Sequence, residues 1–256
     1  MDSVPIVTFR YYGRYGHFRK PYSNVSSLSY PFPPRTAIAG LLGAILGIKK
    51  EEVAESFDEN KAKIGVAIDA EVKTVTHVTN LRQDSSGQVN YSIRIPKKDW
   101  IPKPLKRLPD SNTATQIPME LLREPSYLVY ANLSDYDYMD ELISRIKAER
   151  YVYTPCMGLS EFLARLEYVS EGIAEPIEPK ELEISTVICK EDCSLLLDRL
   201  DPKDGHNIQE LKAPYLGTPN RTFTYRHYLV NIALKPIPVQ MKAPSYQFED
   251  KIITFL

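Results

Sequence analysis

Residues 31–47 read Pro31-Phe32-Pro33-Pro34-Arg35-Thr36-Ala37-Ile38-Ala39-Gly40-Leu41-Leu42-Gly43-Ala44-Ile45-Leu46-Gly47. Proline fixes φ and lacks an N–H, so the three prolines exclude helix before about residue 34 and suit a helix start there. Ile38, Leu41, Leu42 and Ile45 then share a helical face, and Gly47 suits a left-handed C-terminal cap. Upstream, Val4 to Tyr12 alternates and is rich in Val, Ile, Phe and Tyr, which predicts a strand. The chain thus opens as strand, irregular crossing, helix.

Working outward, a short polar helix is expected from Lys50 to Phe57, and Lys63 to Thr79 is β-branched and alternating, as a long strand or hairpin requires. Met119 to Leu133 resumes strand character. Ser134-Asp135-Tyr136-Asp137 has capping-box spacing ahead of Met139, Leu142, Ile143 and Ile146, an amphipathic helix. Pro155 and Gly158 make a turn, and Phe162 to Tyr168 alternates again. Strand, helix, strand, strand, helix, strand is the βαββαβ pattern, so the fold class is α+β with a ferredoxin-like or RRM-like domain over residues 1–170. Residues 80–118 hold five prolines and many bases and read as an inserted arm. Residues 171–183, rich in Glu and Pro, read as a linker to a small β-rich region completing 171–256.

The chain has 256 residues and net charge −1, with 43 % hydrophobic residues, enough for a sizeable core. The charge is unevenly spread. Residues 1–50 hold seven Lys/Arg against Asp2 alone, and residues 82–107 hold seven against Asp84 and Asp99. Local clusters set the field, so a basic face can sit on a neutral protein, although scattered solvated charges satisfy the same counts. Three cysteines point to a reducing compartment and no disulfide framework. Cys189 and Cys193 lack the partners of a zinc site, and neither cofactor nor metal is expected. The N-terminus does not read as a signal peptide, and the longest apolar helix is too short to span a bilayer, so a cytoplasmic protein without membrane contact is expected.

Four features carry candidate chemistry. The run Arg10-Tyr11-Tyr12-Gly13-Arg14-Tyr15-Gly16-His17-Phe18-Arg19-Lys20 interleaves bases with aromatics, as suits RNA, where cations neutralise phosphates and rings stack on unpaired bases; it suits equally a strand that packs its tyrosines inward. Arg14, His17, Arg19 and Lys20 are its candidate RNA contacts. At the helix start, Arg35 and Thr36 stand where acids are usual, and an anion bound to the free N–H groups would justify the cation. In the arm, Lys97, Lys98, Lys103, Lys106 and Arg107 flank Trp100, a combination for clamping a strand or merely a solvated loop. Finally, His17 with Tyr15 and Lys20 offers a base and acid for metal-free RNA cleavage. No P-loop, nucleophile elbow, zinc motif or dinucleotide fingerprint is present.

The run from Phe18-Arg19-Lys20-Pro21 through Tyr30-Pro31-Phe32-Pro33-Pro34-Arg35-Thr36 to Gly47 resembles the N-terminal signature of the fifth family of CRISPR-associated (Cas) proteins, RAMP-superfamily subunits of the type I Cascade complex. Glu120-Leu121-Leu122-Arg123-Glu124-Pro125-Ser126-Tyr127 and Tyr153-Thr154-Pro155-Cys156-Met157-Gly158-Leu159-Ser160-Glu161 resemble two further blocks of that family. The resemblance covers about residues 3–170. It implies an RRM-like fold with an inserted thumb, and a subunit that caps the complex and grips the 5′ handle of the crRNA. The implied partners are the repeated backbone subunit, the large subunit and, indirectly, target DNA near the PAM-proximal end. The type I-B and I-A branches look nearer than type I-C, whose member cuts repeat RNA with Tyr, Lys and His. A non-catalytic RNA-binding subunit is therefore the leading expectation and a metal-independent repeat endoribonuclease the alternative. A third is an assembly subunit whose basic face meets only an acidic partner.

Overall fold

The buried guanidinium of Arg35 ties together segments that the sequence spaces far apart. In the computed structural model, which describes residues 2–21, 27–82, 114–200, 202–218 and 222–256, Arg35 is 2 % exposed. Its Nη1 donates to Phe57 O (3.0 Å), and its Nη2 donates to Asp58 O (3.0 Å) and Ala62 O (2.8 Å). Arg35 opens helix α1 (Arg35–Leu46), which follows strands β1 (Val4–Gly13) and β2 (Tyr15–Gly16). Pro34 is the N-cap, with no side-chain cap and no acid in the first turn. Gly47 closes the helix at φ 81°, the left-handed cap expected of it. Eight of its twelve residues are buried, so α1 is enclosed on most sides, and Gly43 lies where a Cβ would meet Val53 Cγ2 at 2.8 Å.

Next come α2 (Val53–Ser56), β3 (Ala62–Ile68), β4 (Lys73–Arg82), β5 (Ala114–Arg123), β6 (Ser126–Leu133), α3 (Tyr136–Lys147) and β7 (Ala164–Ile177). Asp135, one residue beyond the first residue of the expected capping box, caps α3 by accepting from the N–H groups of Asp137 and Tyr138. β1 is central, antiparallel to both β6 and β7, and β3 pairs antiparallel with β6. The strands lie in the order β7-β1-β6-β3. The result is a mixed α/β fold around a curled antiparallel sheet. Val7, Phe9 and Tyr11 of β1 face the helices and join Ile38, Leu42, Leu142 and Ile146 in the main core.

Beyond β7 the chain forms β8 (Glu181–Ile184), β9 (Ile188–Cys189), β10 (Cys193–Leu195), β11 (Ile208–Gly217), β12 (Phe223–Asn231), β13 (Ile237–Met241), β14 (Ser245–Phe248) and β15 (Lys251–Ile253). The stretch 171–183 corrects the linker expectation. Its glutamates alternate outward along β7, which runs to Ile177, because Ala174 turns inward opposite Val4. β14 then pairs with β7 and β15 with β14, extending the main sheet to six strands. Tyr246, Phe248 and Ile253 meet Val4, Ile6 and Tyr130 on the sheet face away from the helices. The sheet curls until its other edge is met. Val187 N donates to Val66 O (2.8 Å) and Leu256 N to Ile64 O (2.7 Å), along the free side of β3. Gly65 permits this approach, since a Cβ there would stand 2.9 Å from Thr254 O.

Tyr215 on β11 takes Arg35 on its ring at 5.3 Å and Arg226 at 3.6 Å, while its hydroxyl donates to Glu59 Oε2 at 2.6 Å. Arg35→Ala would leave three carbonyls and this stack unsupported, so it is expected to lower stability by about 3 kcal/mol. Arg35→Lys would recover less than half of that, because an ammonium lacks the planar fork. Urea unfolding of the three proteins measures both.

Candidate nucleic-acid interface

The basic, aromatic run divides into buried and exposed members. Arg10 is neutralised: Nε meets Asp69 Oδ2 and Nη1 meets Glu167 Oε2, both at 2.8 Å, and Ser126 Oγ donates to the same Asp69 oxygen. Tyr11 is buried and its hydroxyl donates to Cys156 O at 2.6 Å. Beyond Gly13 the chain leaves β1, and β2 pairs Tyr15 with Arg123 of β5.

His17 is 2 % exposed. Its Nδ1 lies 2.7 Å from Glu120 O and its Nε2 2.9 Å from Ser27 Oγ. A carbonyl only accepts, so Nδ1 carries the proton and Ser27 donates to Nε2, which is the neutral tautomer. Burial also lowers the imidazole pKa below its usual value. The Pro155–Ser160 turn sits directly beneath: His17 N donates to Met157 O at 2.9 Å, and a Cβ on Gly158 (φ +87°) would stand 2.0 Å from His17 O. Only glycine fits there. Tyr15 packs on Phe162 at 6.4 Å and under the Arg14 guanidinium at 5.7 Å, and Lys20 Nζ lies 5.7 Å from the Tyr30 ring centre. Tyr15 and Lys20 thus point to partners other than the His17 ring.

Arg35 corrects the phosphate-contact expectation. The cation at the start of α1 is spent on the three carbonyls, and its exposure of 2 % leaves no surface for a phosphate. Thr36 beside it is half-buried and lines a cleft. The arm candidates Lys97, Lys98, Trp100, Lys103, Lys106 and Arg107 lie outside the described residues. The stem of the arm is described: β4 and β5 pair without a bulge from Lys73↔Arg123 to Arg82↔Ala114, and Lys73 to Val78 are exposed at every position. β4 and β5 thus form an antiparallel ribbon that flanks the expected arm, most of which lies outside the described residues.

What remains on the surface is a set of cations that includes three the sequence reading missed. Arg14 and Arg19 are exposed, as are Arg123, Arg165 and Lys73. Tyr15, Arg123 and Lys73 are direct cross-strand partners on β2, β5 and β4, so their side chains share one face. Arg165 is paired with Tyr12 across β1 and β7. Among the described residues none of Arg14, Arg19, Arg123 and Arg165 is ion-paired, whereas Lys73 meets Glu71 at 3.0 Å. No spacing rule marks Arg123 or Arg165; only strand register brings them beside the run. Burial pushes the thiols of Cys189 and Cys193 up to about 12 and about 11, so both are neutral core groups, and the described residues contain no metal-binding cluster.

Comparison with known proteins places this geometry in a family. A search of curated proteins gives no match. Among solved structures, a chain of a "CRISPR RNA-guided surveillance complex" is 13 % identical, covering 91 % of both chains with a TM-score of 0.52. A CRISPR protein from Archaeoglobus fulgidus is also 13 % identical, covering all of both chains with a TM-score of 0.50. These two share the fold. The sequence pattern of the family described as CRISPR-associated protein (Cas_Cas5) matches residues 6–206, most of the chain, including the run, the Pro-rich crossing and α1. The chain belongs to the Cas5 family of CRISPR-associated proteins.

Proposed function

We propose that the chain is a non-catalytic subunit of a type I Cascade complex that holds the 5′ handle of the crRNA, beside the backbone and large subunits. The observation that carries this reading is the set of exposed arginines, Arg14, Arg19, Arg123 and Arg165, that have no acidic partner among the described residues. Cations without acidic partners are free to neutralise phosphates, and Tyr15 stands among them. The strand order supports a ferredoxin-like core, and the ribbon supports a thumb. No helix among the described residues is long and apolar enough to cross a membrane.

The nuclease alternative needs His17 as a base, and both its ring nitrogens are already engaged below the surface. That supports a structural His17. Its lowered pKa means that the unfolded chain takes up a proton first as pH falls. Stability is therefore full above about pH 6.5 and declines as pH drops below it, a slope that His17→Gln should flatten in thermal melts between pH 5 and 7.

Charge reversal at Arg14, Arg19 and Arg123 to Glu is expected to weaken binding of repeat-derived RNA at least tenfold. Restoring the arginines one at a time should steepen the salt dependence by roughly 0.7 in log–log slope per phosphate contact regained. Fluorescence anisotropy at four salt concentrations reads both, and unchanged affinity in the triple variant removes the assignment. Repeat RNA incubated with the chain in EDTA is expected to stay intact; cleavage abolished by His17→Ala would instead establish the nuclease.

A further inference from the structure

The hairpin of β11 and β12 presents two unlike faces. Ala213, Tyr215 and Tyr228 turn inward against α1 and Arg35. The other face carries Lys212, paired across the ladder with His227, then Tyr225 opposite Pro214 and Phe223 opposite Gly217. Phe223 is 42 % and Tyr225 37 % exposed, although rings of this size are ordinarily buried. Lys212 is exposed, its ammonium lies 5.7 Å from the Tyr225 ring centre, and it makes no ion pair among the described residues. The single carboxylate of this face, Glu210, is already engaged by Lys190 and His227.

A buried tyrosine ties this hairpin to the basic run from below the surface. Lys20 lies over the Tyr30 ring, and the Tyr30 hydroxyl donates to Lys212 O at 2.6 Å. Tyr30 thus joins the segment that carries Lys20 to the backbone at Lys212, and Lys212, Tyr225 and Phe223 then follow in register along the hairpin. Phe223 also lines a cleft of about 680 Å3 between α1 and the hairpin.

We propose that the outer face of this hairpin is a second RNA contact, in which Tyr225 and Phe223 stack on two unpaired bases and Lys212, beside Tyr225, holds the phosphate that flanks the base on that ring. Residues two apart on a strand project from the same side about 7 Å apart, a spacing that neighbouring splayed nucleotides can match. Flat, exposed rings beside an unneutralised cation suit bases and phosphates, whereas an acidic protein surface would need cations and leave the rings idle. The inference rests on the RNA reading above and extends it to Lys212, Phe223 and Tyr225.

The test uses the full chain and a fluorescein-labelled single-stranded RNA carrying the repeat sequence. The double variant Phe223→Ala/Tyr225→Ala is expected to bind about tenfold or more weakly per ring lost, with the salt slope unchanged because no charge is removed. Lys212→Ala should lower the slope by roughly 0.7, and Phe223→Tyr/Tyr225→Phe should bind as wild type. Undiminished binding by the double alanine variant overturns the platform and leaves the handle assignment standing. Tighter binding of a DNA strand of the same sequence through these rings overturns the choice of RNA. Retained RNA with loss of a co-purifying Cas subunit makes the face a protein surface and overturns the proposal. Absence of RNA binding by the wild-type chain removes both readings together.

Discussion

A buried guanidinium must spend its donors on fixed acceptors, and Arg35 shows how far one such requirement reaches. Its three carbonyl partners fix the loop between α2 and β3 against the first turn of α1. Tyr215, held between Arg35 and Arg226, fixes the hairpin of β11 and β12 to the same place. The prolines at 31, 33 and 34 deliver the chain to that point, and the missing acid of the first turn is explained from within: the cation is an internal clamp. Loss of the clamp would disturb the framework on which the outer hairpin face is displayed, although Arg35 touches none of that face.

Periodicity revealed the elements that bury one side. β1, α1, α3 and β7 all stood out because their apolar residues recur at the strand or helix period, and the Gly47 cap followed from its place after the last of them. Local composition misled where burial is set by distant partners. Glutamates in 171–183 suggested a linker, yet in a strand they need only occupy the outward positions while Ala174 faces in. Arg35 looked like a surface cation because its acceptors, Phe57, Asp58 and Ala62, carry no sequence mark; any residue has a carbonyl. His17 looked available for chemistry for the same reason, since Glu120 O and Ser27 Oγ reach it only through tertiary register. Arg123 and Arg165 escaped notice because neither lies in a run.

The two proposed interfaces share a division of labour within each strand. β1 places Val7, Phe9 and Tyr11 in the core, and the following residues carry cations outward from it. β11 and β12 repeat this arrangement with Tyr215 and Tyr228 inside and Tyr225 and Phe223 outside. Aromatic content alone therefore separates neither packing from recognition; the parity of a residue along its strand does. The broad face of the main sheet is filled by β14 and β15, so the exposed basic and aromatic groups lie at sheet ends and on hairpins.

The seam along β3 has a consequence for how the molecule forms. β3 finds its first partner, β6, about 60 residues along the chain, but its outer carbonyls wait for Val187 and Leu256. Until those residues arrive, Ile64 and Val66 offer a bare strand edge, the kind of template on which chains aggregate. Closing so long a loop is entropically costly and slow relative to forming local hairpins. A nascent chain thus passes through a stage with a folded βα unit and an unsealed margin. Kinetic competition at that margin, rather than the strength of the finished core, would then set the yield of folded protein.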